Sequence, residues 1–433
     1  MSMPMRRGAC PSLSRPMQTG DGLLVRLRPV AGGISPDQLG RLADAAGRFG
    51  NGVLEVTRRG NLQIRGLTPE SAVEFAEAVD ALGVNVMTGV PIETGPLAGL
   101  DAREIADPRP LAGAIRESIA EAGLASRLGP KVSVVVDGGG ALPMDDVAAD
   151  VRLAACDERE WLLSVGGIAK ESRPLGVLAE KEAANAVLSL LGAIATKGLS
   201  ARGKDLRPEG LDGTFQRNVE RHNYPVGTFL LKKGSFALGV GLPFGQASAE
   251  ALRFFAENAA ACGAPEIRFA PGRALLALGL AAEECERLRE EVRALGFVTD
   301  AADPRLFIAA CAGSPACASA FIDTKDIAAS VARSAADLLD GSFILHVSGC
   351  PKGCARPPAP GLSLAGIAPE RCAMLLDGHD DAAIAQACGG DAAAFVAELA
   401  LLFRQRRRQG ETAKSFLDRW GGARLASALC KGK

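Results

Sequence analysis

Four cysteines toward the C-terminus carry the most specific chemistry in the chain. Five residues separate Cys311 from Cys317 in CAGSPAC, and three separate Cys350 from Cys354 in SGCPKGC. Four soft thiolates match iron and can cap the four corners of a cubane, so the pattern points to a 4Fe-4S cluster. Gly349, Gly353, Pro315 and Pro351 allow the backbone to bend sharply around such a group. Structural zinc is the competing reading, but zinc pairs favour two to four intervening residues, and five plus three fits poorly. The blandest alternative is that the cysteines are small buried apolar residues.

A second constellation lies in TRRGNLQIRGL. Period-two alternation over residues 61–65 sends Asn61, Gln63 and Arg65 to one face of a strand and Leu62 and Ile64 to the other. Arg58 and Arg59 precede it in a turn closed by Gly60, adding two guanidinium forks suited to bidentate carboxylate recognition. The bland reading is a solvated strand face; together the residues predict an anionic ligand on this sheet.

The elements that position these residues occur twice. With an offset of 213, residues 22–67 lie on 235–280 without a gap, matching Ser35 to Ser248, Leu39 to Leu252, Ala43 to Ala256 and Gly66 to Gly279. Each copy reads as a βαββ unit. In the first, residues 23–27 form a strand, Ser35 caps a helix with Pro36 in its first turn, and Leu39, Leu42, Ala43, Ala46 and Phe49 share its apolar face. Gly50 ends the helix, and strands follow over 53–57 and 61–67. So small a sheet needs a partner, which predicts two copies about a pseudo-twofold axis. In the second copy the polar face is replaced by Ala274, Leu276 and Leu278. The duplication extends further: residues 132–136 followed by DGGG match 344–348 followed by GCPKG, with Gly140 on Gly353 and Asp137 and Ala141 in the places of Cys350 and Cys354. Only the later copy can hold a cluster.

Composition sets the limits. The 433 residues, 48% hydrophobic, suffice for two to four domains, and a net charge of -1 gives no pull toward nucleic acid or an anionic membrane. Eleven cysteines, with Cys156, Cys262, Cys285 and Cys388 scattered through apparent helices, read as free thiols in a reducing compartment. The basic N-terminus lacks the apolar run of a secretory signal and no segment reaches a membrane span, so the expectation is a cytoplasmic protein without nucleic-acid or membrane partners.

The strand motif Thr57, Arg59, Gln63, the duplicated half modules and the spacing of Cys311, Cys317, Cys350 and Cys354 resemble the nitrite and sulfite reductase superfamily over nearly the whole chain. The resemblance implies an α+β fold of duplicated ferredoxin-like half modules paired about a pseudo-twofold axis, plus two related α/β domains, the second binding the 4Fe-4S cluster. The order is residues 1–88 (N-terminal segment and first half module), 89–222 (first α/β domain), 223–298 (second half module) and 299–433 (cluster domain). In that superfamily the last cysteine, here Cys354, also bridges to sirohaem iron. Its Lys-x-Lys pair appears here as Lys131, Val132, Ser133, so one cation beside a bound oxyanion is replaced by a hydroxyl. That weakens the case for nitrite or sulfite reduction with sirohaem, because a desolvated anion needs compensating charge.

Closer similarity lies with the precorrin-3B synthase branch, carried by RRGACPSL, GDGLLVRLRP, TRRGNLQIRGL and HVSGCPKGCARP. This implies a monooxygenase acting on precorrin-3A with dioxygen and NADH, forming a hydroxy-γ-lactone, in aerobic cobalamin biosynthesis. Under that reading Thr57, Arg58, Arg59, Asn61, Gln63, Arg65 and Lys131 bind the tetrapyrrole, with Arg59, Lys131 and His346 closest to the chemistry. The resemblance also implies a mononuclear non-haem iron whose ligands the sequence does not locate. His346, on the strand leading to Cys350, is the first candidate, ahead of His222 and His379, each with a packing role as its bland reading. Cys10 belongs to a motif of the branch and reads as part of a covering segment. The glycines of GVGLPFG lack nucleotide-binding spacing and read as close packing, so NADH delivers electrons directly or through a separate reductase. Arg404, Arg406, Arg407 and Arg408 read as a solvated helix face, or as a docking patch for that reductase. Outside these enzymes, the remaining class is an iron-sulfur electron carrier or redox sensor, which hardly needs so large a duplicated scaffold.

Overall fold

The computed structural model describes residues 11–28, 33–207, 224–357, 361–369, 371–376, 383–388 and 392–429. The chain divides into two compact units, one of Met1–Met17 with Leu24–Thr299 and one of Gln18–Leu23 with Asp300–Lys433. No helix among the described residues is long and apolar enough to cross a membrane.

The first copy of the repeat is made by β1 (Met17–Thr19), β2 (Gly22–Leu27), α1 (Pro36–Phe49), β3 (Val53–Val56), β4 (Leu62–Leu67) and α2 (Pro69–Ala81), all in the first unit except residues 18–23. Next come β5 (Ile92–Thr94), α3 (Pro108–Glu121), β6 (Val134–Asp137), β7 (Val151–Ala155), β8 (Glu160–Val165), β9 (Arg173–Ala179) and α4 (Glu180–Thr196). The second copy is β10 (Gly227–Leu230), β11 (Phe236–Gly241), β12 (Gln246–Ser248), α5 (Ala249–Ala261), β13 (Glu266–Ala270), β14 (Ala274–Leu280) and α6 (Ala282–Ala294).

The local causes are those the residue types dictate. Ser35 Oγ accepts the Gln38 amide while the Gln38 side chain accepts the Ser35 amide, a capping box worth about 1 kcal/mol. Leu39, Leu42, Ala43 and Ala46 of α1 are buried, whereas Phe49 is half-buried. Gly50 ends the helix in extended backbone (φ -114°) rather than a left-handed cap. Its lack of a side chain is needed for another reason: a Cβ there would lie 2.5 Å from the Arg65 carbonyl oxygen.

The two copies pair as the repeat requires. Ala247 of β12 pairs with Leu54 of β3, and Ile34 bridges Ile267 of β13. These contacts are each other's images under the same 213-residue offset, the signature of a pseudo-twofold axis. Helices α1 and α5 pack across it through small residues, Gly40 facing Ala256 and Gly47 facing Ala249. The sheets run β1-β2-β4-β3-β12 and β10-β11-β14-β13, so the first is completed at its edge by a strand of the second copy.

The larger duplication is visible in topology. The sheet β5-β6-β7-β8-β9 has two parallel pairings followed by two antiparallel ones, with α3 between its first two strands and α4 after the last. In the second unit, β15 (Ile308–Ala310), α7 (Thr324–Ser334), β16 (Leu345–Ser348), β17 (Leu362–Ala368), β18 (Arg371–Leu376), β19 (Ala383–Cys388) and α8 (Ala392–Arg406) repeat that pattern, before α9 (Ala413–Leu429). Strand pairing corrects the register expected from sequence. Val134 and Val151 correspond to Leu345 and Leu362, which sets Asp137 against Ser348 rather than Cys350. Cys156 follows the strand β7 and Cys388 ends β19, so neither lies in a helix as their surroundings suggested; the alternation of Val151, Leu153 and Ala155 is a strand's.

Candidate functional site

The face of the first-copy sheet turned away from α1 and α2 is polar and enclosed. Asn61, Gln63 and Arg65 are only 7%, 8% and 6% exposed, so the solvated-face reading fails. Gln63 and Arg65 are held by side-chain partners, and the Asn61 amide by Thr57, as buried polar groups must be. Gln63 accepts from the Arg26 guanidinium through Oε1 and donates to Glu55 at 2.7 Å. Arg65 faces the same carboxylate at 3.5 Å, and Gln246 of β12 donates to it as well. The equivalent positions Ala274, Leu276 and Leu278 lie in an apolar cluster with Leu97, Leu142 and Phe229, as the repeat comparison predicts.

The turn before this strand splits its two arginines between different tasks. Thr57 closes the turn: its Oγ1 accepts the Asn61 amide, its carbonyl accepts the Gly60 amide, and Gly60 is left-handed at φ +75°. Arg59 grips Glu93 bidentately (Nε to Oε1 3.2 Å, Nη2 to Oε2 2.9 Å) and also donates to Ser133 Oγ and the Ala148 carbonyl. The carboxylate it recognises in this structure is therefore the chain's own. Ser133 stands in the Lys-x-Lys position and its strand is pinned by buried Asp150, which accepts the Ser133 amide and pairs with Arg202. Lys131 is exposed, and its carbonyl accepts from Arg202. A cavity of about 100 Å³ beside Arg59 is bordered by Arg28, Asn61, Glu93, Arg109 and Arg268.

Arg58 behaves differently. Burial pulls its guanidinium below the usual range, the Arg59 charge adds to this, and Asp146 opposes it. Arg273 is lowered in the same way, by burial first and then by the Arg58 charge, against Glu55 and Tyr224. Tyr224 is pushed up to about 12, chiefly by burial. Sequence reasoning missed Glu93, Arg26, Arg273 and Tyr224. Arg26 had a signal, a charge alternating with buried Val25 and Leu27 along β2; Glu93, in a three-residue strand, had none.

In the second unit the four sequence-predicted cysteines share one neighbourhood. Burial raises the Cys354 thiol, and Cys311, Cys350 and Cys317 all act on it in the same direction. Among the described residues no three His, Cys, Asp or Glu groups are drawn together around a single metal ion. The loops are held by Ser314 N–H to the Ile322 carbonyl and Phe321 N–H to the Gly349 carbonyl, and the Gly349 amide donates to Cys311 Sγ at 3.1 Å. Soft donors from two loops with an amide aimed at a sulfur fit an iron-sulfur cluster. The hairpin tip 18–23 belongs to this unit, and a Cβ on Gly20 would lie 1.9 Å from the Ala318 amide nitrogen. His346 is buried, with Nδ1 3.2 Å from Ser363 Oγ and its ring 3.7 Å from where a Cβ on Gly353 would sit. Arg404 pairs with Asp337 and Arg407 lies over the Phe403 ring, so part of that basic run serves the fold. Cys10, His222 and His379 lie outside the described residues.

Comparison with known proteins adds the following. Residues 15–82 match the family described as Nitrite/Sulfite reductase ferredoxin-like half domain. A precorrin-3B synthase of Sinorhizobium sp. is 41% identical over 441 aligned residues, spanning 99% of this chain and 95% of that protein. A ferredoxin–nitrite reductase of Synechococcus elongatus is 26% identical over 411 residues, spanning 84% and 80%. The solved structure of the Mycobacterium tuberculosis NirA protein matches with a TM-score of 0.73 at 20% identity, covering 93% of this chain and 84% of that one, a likeness of fold.

Proposed function

Because the chain belongs to the precorrin-3B synthase family, within the nitrite/sulfite reductase superfamily, we propose that it hydroxylates precorrin-3A to the hydroxy-γ-lactone of aerobic cobalamin biosynthesis. In net terms one substrate, one O₂, one NADH and one proton give one product, one NAD⁺ and one water. The observation that carries the reading is the enclosed polar face of the first-copy sheet, which holds Arg26 and Arg65, with Arg58 in the turn before it, where the second copy has an apolar cluster. A tetrapyrrole bearing many acetate and propionate arms is the ligand such a face suits, since each arm can take a planar fork.

Within this proposal Arg58 binds a carboxylate, Arg65 takes one only by exchanging it for Glu55, Gln63 and Asn61 hydrogen-bond the macrocycle edge, and Thr57 shapes the turn that presents them. Arg59 acts through Glu93, holding the wall of the cleft, and meets a substrate carboxylate only by exchanging it for that one. Lys131, exposed, reaches a peripheral carboxylate. Cys311, Cys317, Cys350 and Cys354 hold the 4Fe-4S cluster, and His346 beside Gly353 packs against its loop or ligates the mononuclear iron. When bound, these iron groups supply one-electron transfer and dioxygen activation, which a closed-shell substrate lacks. The division into 1–88, 89–222, 223–298 and 299–433, a cytoplasmic location and a separate NADH-oxidising reductase belong to the same proposal. Ser133, a hydroxyl committed to Arg59, makes the oxyanion reductase the weaker reading.

Protein reconstituted anaerobically with iron and sulfide, then given precorrin-3A, oxygen and a reducing system, tests the proposal. Formation of the lactone with consumption of one O₂ supports it. Strong sirohaem bands together with nitrite or sulfite turnover would replace it by the reductase reading.

A further inference from the structure

Most arginines on or near the polar sheet face have a side-chain partner; Arg28, at the cavity, Arg58 and Arg273 are the exceptions among the described residues. Arg26 is spent on Gln63, Arg59 on Glu93, Arg65 on Glu55, and Arg268 on Glu266 and the carbonyls of Pro96 and Ala98. Arg58 and Arg273 have no ion pair or side-chain hydrogen bond among the described residues. The carboxylates that act on them are Asp146 and Glu55 respectively, and Glu55 is already taken by Gln63, Gln246 and Arg65.

The backbone brings these two residues together from the two copies of the repeat. The Gly272 amide donates to the Arg58 carbonyl at 3.0 Å and Arg59 bridges Pro271, so the turns clasp tip to tip across the pseudo-twofold axis. Arg273 occupies the place that Gly60 has in the first copy, and it keeps the same left-handed backbone, φ +66° against +75°. Only Lys233 and Phe244 among the other described non-glycine residues share that sign. An arginine is disfavoured there where glycine is not, so the side chain must be wanted for something other than the turn. Room for it is made by Gly245: a Cβ at that position would lie 2.6 Å from Arg273 Cδ.

Two half-buried like charges without a counter-ion among the described residues are costly unless an anion arrives to share them. We propose that Arg58 and Arg273 form a two-armed clamp for a single carboxylate arm of the tetrapyrrole, one guanidinium contributed by each copy of the repeat. This rests on the tetrapyrrole reading above and adds to it a residue from the second copy of the repeat. The clamp fixes one edge of the macrocycle, and so which ring is presented for hydroxylation.

Uroporphyrin III, a stable tetrapyrrole octacarboxylate, is the probe, titrated by fluorescence into the full-length wild type, Arg58→Gln, Arg273→Gly and the double variant, with thermal midpoints measured alongside. Each single change is expected to weaken binding about 10- to 100-fold, the range for losing a charge-assisted hydrogen bond. The double variant should lose far less than the product of the two, because both arms serve one carboxylate. Arg273→Gly should melt at the same temperature or higher, since glycine relieves the left-handed backbone. Unchanged affinity in either single variant overturns the clamp, as do multiplicative losses, which mean separate carboxylates. A lowered midpoint in Arg273→Gly would make the arginine a brace of the turn and also overturn it. Failure of the wild type itself to bind the porphyrin would instead overturn the tetrapyrrole reading.

Discussion

Replacing Arg59 with Gln removes the bidentate grip on Glu93 and leaves a carboxylate whose side chain is 13% exposed without its counter-charge. Breaking a fully buried pair from one side costs about 3–5 kcal/mol and a surface pair contributes about 0–1 kcal/mol. With Arg59 itself one-third exposed, water can reach the gap, and the expected loss is about 2–3 kcal/mol, discounted for that solvent access. Glu93→Gln should cost less, because the arginine left behind keeps Ser133 and the Ala148 carbonyl as partners. In the double variant a coupling of about 1–2 kcal/mol should be recovered. Urea unfolding reports this cleanly in a Trp420→Phe background, where fully buried Trp161, in the core beneath β5 and β6, is the remaining tryptophan. A coupling within about 0.3 kcal/mol of zero would refute the assignment of Arg59 to the chain's own carboxylate and return it to the ligand.

Tyr224 is the single tyrosine of the chain, so its ionisation can be followed by ultraviolet absorbance. It should titrate near 12 in the folded protein and near 10 once unfolded; its contribution to stability is complete below about 10 and is lost as pH rises toward 12. A native midpoint near 10 would place it in water. Replacing any one of Cys311, Cys317, Cys350 or Cys354 by Ser should sharply lower bound iron and acid-labile sulfide after reconstitution; full iron content in one variant would remove that cysteine from the ligand set. Gly20→Val should cost the second unit about 1–3 kcal/mol in urea unfolding and speed cluster loss in air, because the added Cβ meets the Ala318 backbone rather than a movable side chain. An unchanged midpoint with unchanged cluster lifetime would mean the hairpin tip is not seated there.

What could be read directly from the residues was whatever leaves a local or periodic trace. Ser35, Pro36 and Gln38 announce the start of α1 within four residues, and the repeat offset alone aligns Leu54 with Ile267, whose pairings mirror each other. The cysteine spacings marked one loop pair, and the alternation of Gln63 and Arg65 marked one sheet face. Partner choice left no such trace. Glu93 lies 34 positions from Arg59, and only the meeting of β5 with the turn makes it the arginine's carboxylate. Burial of Asn61, Gln63 and Arg65 was equally hidden, since a polar face enclosed by partners and one bathed in water share the same alternation. Arg273 had a usable sign that went unread: the offset sets it on a glycine, and a bulky residue in a glycine's turn is an anomaly. The register at Asp137 slipped because DGGG and GCPKG loops differ in how far they extend past the strand.

The edge strand that the second repeat supplies to the first has a consequence for biogenesis. Until residues 246–248 have been synthesised, β3 lacks its β12 neighbour and presents a bare row of amides and carbonyls along Val53–Val56. At about 5–20 residues per second, some 190 residues of intervening translation keep that edge open for roughly 10–40 s. A nascent N-terminal half is thus a chain in search of a strand. Isolated as a fragment, it should self-associate through this edge, and synonymous changes that slow elongation between the repeats should lower soluble yield without altering a single residue of the finished protein.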